Sequence, residues 1–147
     1  MAQLLEAIIS YYENGTDANA VALRALLGAN LKQFAGDFDL EKLPMPYVVV
    51  AEGETKSIEV GTNYSWRYEE CSITFHVFAA TRQAAYEISE AIDTAYVGSA
   101  ATTAITTAVS DRAVLGQPRM ESRQPAFRYD NWECNITFSW PLEKTFS

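Results

Sequence analysis

Two stretches of strict alternation constrain this chain more than any other feature. In Glu70–Phe78 the residues Cys71, Ile73, Phe75 and Val77 alternate with Glu70, Ser72, Thr74 and His76. In Asn131–Trp140 the residues Trp132, Cys134, Ile136, Phe138 and Trp140 alternate with Asn131, Glu133, Asn135, Thr137 and Ser139. A period of two places every apolar residue of such a run on one sheet face. That face has to be covered by another layer, and a slip of one residue would expose all of it. The hexapeptides Glu70–Phe75 and Glu133–Phe138 match at five of six positions, while their flanks show no wider similarity. Two neighbouring strands supplying like residues to one face is therefore a more economical reading than duplication. Each Ile, Phe or Val fully buried there is worth roughly 1.5–3 kcal/mol.

The intervening sequence supplies a cover. Thr81 offers an N-cap to a helix that carries Ala84, Ala85, Ile88, Ala91, Ile92, Ala95 and Tyr96 on one side and Glu87, Glu90 and Asp93 on the other, closed by Gly98. The small alanines let it approach a sheet closely. Near the N-terminus, Ala2–Glu13 sets Leu5, Ile8, Ile9 and Tyr12 at helical spacing. Asn14-Gly15 ends this helix through their tolerance of the left-handed conformation. Thr16 or Asp17 caps a second helix that runs through Leu23, Leu26 and Leu27 to Gly28.

Ala29–Pro46 has no clear period, and Gly36-Asp37-Phe38-Asp39 and Leu43-Pro44-Met45-Pro46 read as loop. Tyr47–Ala51 is a β-branched run expected to be buried on both faces and ended by Gly53. Lys56–Val60 and Tyr64–Tyr68 form a hairpin arm around Gly61-Thr62-Asn63. The Ala/Thr-rich Ser99–Ser110 reads most simply as a flexible or surface-hugging connection, with a short helix or edge strand as the lesser reading. A strand begins at Ala113–Leu115, and Pro118 and Pro125 either confine it to an edge or break it. Asp130-Asn131 is a turn signal. The expectation is one α+β domain over residues 1–147: a mostly antiparallel, twisted sheet, packed on one side by amphipathic helices, with a protruding β-hairpin arm.

Charge and residue chemistry narrow the function. Eleven Lys and Arg face nineteen Asp and Glu, for a net charge of −8. Gripping phosphates needs the opposite balance, which argues against a nucleic-acid-binding module. Two cysteines, Cys71 and Cys134, and one histidine, His76, fall short of a tetrahedral zinc site. Both cysteines lie on apolar strand faces and read as buried free thiols, a disulfide requiring that they be neighbours. His76 sits on a polar face with no nucleophile motif to serve, and Glu69 and Glu70 point to opposite faces. No phosphate-binding glycine loop or calcium loop is present, so neither an enzyme nor a cofactor is expected. No apolar run reaches the ~18 residues of a membrane span, and the Met1–Glu6 start lacks a signal peptide's basic region, which suggests a protein kept inside the cell that makes it.

The aromatics lie elsewhere. Tyr64, Trp66 and Tyr68 alternate on the arm, and Phe127 and Tyr129 do so before the last strand. Such stripes serve core packing or subunit contacts, since interfaces favour Tyr, Trp and Phe.

The order of elements resembles one family. Helices ending in Ala22-Leu23-Arg24-Ala25-Leu26-Leu27-Gly28 precede the proline-led strand Leu43–Val50 and a variable arm. The strand Ser72–Phe78, a helix opened by Thr81-Arg82-Gln83-Ala84, and a final alternating strand containing Asp130-Asn131-Trp132 complete it. From Leu23 onward this is similar to the tail-completion proteins of long-tailed bacteriophages, also called tail terminators or head–tail joining proteins. The chain departs from that pattern in a longer Pro46-to-Cys71 region and in the Ala/Thr-rich connection. The resemblance implies a structural subunit of the virion's tail or neck, assembled in the host cytoplasm into a ring, typically a hexamer. It would end tail-tube growth and touch the tail-tube protein and the head connector or stopper. DNA would pass through the lumen unbound. Subunit contacts are then expected at Lys56, Ile58, Val60, Tyr64, Trp66, Tyr68, Phe127 and Tyr129. A stopper or adaptor ring is the nearest alternative, and a small ligand-binding domain with a pocket between the sheet's apolar face and the Ile88–Ile92 helix face is the next.

Overall fold

A computed structural model describes residues 3–33, 44–60, 66–128 and 131–145. The elements are α1 (Leu4–Asn14), α2 (Ala18–Leu27), β1 (Leu31–Gln33), β2 (Tyr47–Val60), β3 (Trp66–Ala79), α3 (Arg82–Val97), α4 (Ser99–Ala108), β4 (Ala113–Val114), β5 (Arg119–Arg128) and β6 (Asn131–Thr145). The strands make one open sheet in the order β1-β2-β3-β6, and both β4 and β5 pair with β6. β1 runs parallel to β2, and every other pairing is antiparallel.

The two alternating segments are neighbours, as their shared pattern requires. β3 and β6 pair along their whole length, with Ile73 opposite Phe138, Phe75 opposite Ile136 and Val77 opposite Cys134. Those side chains face the helices and are almost wholly buried, and Val48 and Val50 of β2 extend the same face. Ile88, Ile92 and Tyr96 of α3, Ile8 of α1, Leu23 of α2 and Ile105 of α4 close over it. Tyr96 is the hub. Its ring lies 4.9 Å from that of Phe75 and 5.3 Å from that of Tyr11, and its hydroxyl donates to the Ile8 carbonyl at 2.8 Å. The opposite face is polar: Thr74 and Thr137 share a hydrogen bond at 2.9 Å, and His76 Nδ1 lies 2.8 Å from Asn135 Oδ1.

The helix ends follow local chemistry. Asp17 caps α2 by accepting from Ala20 N–H, and Thr81 caps α3 by accepting from Ala84 N–H. Gly15 ends α1 in an extended conformation, φ −62°, and not in the expected left-handed one. A side chain there is excluded by crowding, since a Cβ would meet the Tyr11 carbonyl oxygen at 2.6 Å and Ala20 Cβ at 2.7 Å. Gly28, at φ 60°, is the glycine whose backbone needs a positive angle.

Three expectations give way. Ser99–Ala108 is a regular helix directly abutting α3, because Ala101 and Ile105 recur at helical spacing and find a core to enter. β1 falls where no period is visible, a three-residue strand held to β2 by parallel pairing of Leu31 with Val48. Gly53 does not end a strand: β2 continues through a bulge between Glu52 and Thr55, and a Cβ at Gly53 would approach the Ser72 carbonyl oxygen at 3.3 Å. The prolines act as read, with β4 and β5 separate and Pro125 on a strand paired only with β6. The Gly36–Asp39 loop, the Gly61-Thr62-Asn63 turn and Asp130 lie outside the described residues.

Candidate functional site

The helices cover only part of this sheet. β2 and β3 each run for fourteen residues and pair from Tyr47 opposite Phe78 down to Val60 opposite Trp66. From Glu52 to Ser57 every residue of β2 is exposed, while β3 beside it stays paired with β6 as far as Trp66 opposite Thr145, so the expected arm is the outer part of a three-stranded extension of the sheet. β1 pairs only with Val48–Val50. From Ala51 to Val60 the outer edge of β2 therefore has no partner among the described residues, and its backbone groups are open to another strand.

The residues expected at subunit contacts separate into two places. Lys56, exposed, stands opposite Glu70, whose Oε1 accepts from the Tyr68 hydroxyl at 3.0 Å. Ile58 and Val60 take the register positions opposite Tyr68 and Trp66. Trp66 is 36% exposed, well above the core aromatics. These five share one hairpin. Phe127 lies on β5, opposite Trp132, at the other side of the sheet. Tyr64 and Tyr129 lie outside the described residues.

A charged cluster behind the arm was not visible in the sequence. Glu69 is only 3% exposed, yet accepts from Arg112 Nη1 at 2.5 Å and lies 3.2 Å from Arg67 Nη2. With Glu52, Cys71, Asp111 and the start of α1 it lines a cleft of about 280 Å³. A buried carboxylate is tolerable only when paired this closely, so the cluster clasps β3 to the segment after α4. Arg67 and Glu69 are two apart on one strand face, a hint the sequence does contain. Arg112 is distant in the chain and gives no such hint. Burial, the largest influence, pushes the Cys71 thiol up to about 11, so it is not a thiolate nucleophile at neutral pH.

A second cluster joins α3 to β5. Arg123 pairs with Glu90 and stacks 5.8 Å from the Tyr86 ring, and Arg82 lies 6.0 Å from that of Trp132. They border a cavity of about 190 Å³ beside Cys134. The two cysteines are free and buried, six positions apart along the β3–β6 ladder, so they are not the neighbours a disulfide needs. His76 meets Asn135 and, at 3.9 Å, Glu133, with no nucleophile beside it among these contacts. Among the described residues no group of His, Cys, Asp and Glu is placed to hold a metal ion. No described helix is long and apolar enough to cross a membrane. Ile88 and Ile92 are buried against the sheet in one hydrophobic core, and the cavity beside Cys134 lies nearer the start of α3, at Arg82, Ala85 and Tyr86.

No protein-family model matches the chain, and no curated protein matches it. Among solved structures it is similar to a chain from the virion of a native gene transfer agent (GTA) particle, with a TM-score of 0.67 over 90% of each chain at 17% identity. At that identity the likeness shows a shared fold over nine-tenths of each chain.

Proposed function

We propose that this chain is a structural protein of a phage-like virion: a ring-forming tail terminator that sits at the head-proximal end of the tail, stops tube growth and joins the tail to the head connector. The observation that carries this reading is the likeness in fold, over 90% of each chain, to a component of a gene transfer agent virion, a phage-like particle. The resemblance in element order, reached without that comparison, points the same way. The site chemistry is compatible with it. The best-formed polar clusters are ion pairs that clasp elements together, and exposed Trp66 and the β2 edge unpaired among the described residues lie at one end of the sheet. Such features suit assembly better than catalysis. A net charge of −8 suits a ring through which DNA slides without being retained.

A stopper or adaptor ring on the portal side has the same general requirements and is the reading to exclude. Pull-down with the tail-tube protein and, separately, with the portal protein distinguishes them. The proposal expects capture by tube protein. Capture by portal protein alone would assign the chain to the connector instead.

A further inference from the structure

Among the described residues the sheet has two unpaired edges, and they differ in charge. On one side is the outer edge of β2 from Ala51 to Val60, unpaired among the described residues. On the other is the outer edge of β5, which pairs with β6 alone. By sequence the β2 stretch carries Glu52, Glu54 and Glu59 against Lys56, while Arg119–Arg128 carries Arg119, Arg123 and Arg128 against Glu121. Arg123 is already paired with Glu90 and Asp93 of α3, which leaves Arg119 and Arg128 against Glu121, still the more basic of the two edges in a chain of net charge −8. Two copies of the acidic edge repel when placed side by side, which disfavours pairing of β2 with β2.

We infer that copies of this chain join by antiparallel pairing of the acidic outer edge of β2 with the basic outer edge of β5 of the next copy, so that one sheet runs on from subunit to subunit. This rests on the ring reading above and says how the ring is made. Two features support it. β2, β3, β6 and β5 are four successive antiparallel strands, an even number, so β5 of the next copy meets β2 antiparallel with its helices on the same face. Copies related by rotation have that relationship, and two different patches per copy allow a ring to close.

The free edges are also staggered. Lys56 lies level, through Glu70, with Pro141 of β6, whereas Gln124 lies level with Asn135. That separation is roughly 20 Å along the strands, against roughly 19 Å for four strand spacings. The resulting tilt is about 45°, near the 35–45° of closed sheets. The bulge at Met120–Ser122 and the missing N–H of Pro125 interrupt the ladder that the β5 edge can offer, so pairing there has to form around them.

The test is cross-linking in the whole chain with the double variant Lys56→Cys plus Gln124→Cys, both exposed sites. Within one copy these lie on strands separated by two others, well beyond the ~10 Å reach of a short bismaleimide at ordinary strand spacing. The native thiols of Cys71 and Cys134 are buried, and wild type serves as their control. The expected result is a ladder on a denaturing gel, ending at a covalently closed ring, from the double variant and from neither single variant. A multi-copy particle by light scattering that yields no such ladder overturns the continuous sheet and leaves the ring reading standing. Dimers from Lys56→Cys alone overturn it in favour of β2–β2 pairing. A single-copy mass overturns both.

Discussion

Phe75 and Ile136 face each other across the central strand pair with no exposed surface, and the Tyr96 ring of α3 packs 4.9 Å from that of Phe75. Truncating Phe75 to Ala should cost roughly 3–5 kcal/mol, read from urea unfolding, because the rigid sheet cannot collapse into the gap. Placing Asp at Phe75 or Ile136 should abolish folding, and a soluble, folded Ile136→Asp variant would show that this face is not the core. Gly15 makes a finer case. Gly15→Ala should destabilise by about 1–3 kcal/mol through overpacking against α2, while Gly116→Ala, with nothing within 4 Å of the added Cβ, should be close to neutral. Alkaline pH acts through Cys71 and Tyr12, whose ionisations burial raises to about 11 and about 12. In the unfolded chain they ionise near ~8.5 and ~10, so between those values and the folded ones the unfolded state binds fewer protons. Their contribution is complete at pH 7, and the urea midpoint should fall as pH rises from 9 to 12. A flat profile there would mean that neither group is held protonated by the fold.

Among the elements, α4 is the one that local composition conceals. Its Ala and Thr residues have little amphipathic signal, and only burial of Ala101 and Ile105 against α1 and α3 makes the helix worth forming. Proline at Ala104, exposed and inside the helix, should therefore cost about 3 kcal/mol, whereas a surface connection would accept it; circular dichroism and urea unfolding decide. The strands that alternate, the capped helices and the proline-confined edge were legible because their signals are local: period two, a side-chain oxygen at an N-cap, a missing N–H. β1 and the Glu69–Arg112 clasp were not, since each depends on a partner far away in the chain. Gly53 reads locally as a strand end, but in the sheet it marks a bulge with the strand continuing beyond it. Of the expected contact residues, Lys56, Ile58, Val60, Trp66 and Tyr68 share one hairpin, the one that Lys56–Val60 and Tyr64–Tyr68 flanking Gly61-Thr62-Asn63 suggest. The separate position of Phe127 follows from sheet order, which no local pattern encodes.

At the scale of the whole molecule, one covered face, one polar face and an arm carrying an open edge describe a subunit more readily than a self-sufficient enzyme. The interior is filled, and the charged clusters brace elements against each other. What remains unspent is on the periphery: Trp66, the β2 edge and the basic stretch of β5. A continuous sheet between copies would use all three. The most direct test is the mass of the purified chain by light scattering across a concentration series, with negative-stain images of the same sample. The account predicts a discrete multi-copy mass and closed rings with a central opening; a strictly monomeric particle at high concentration would contradict it.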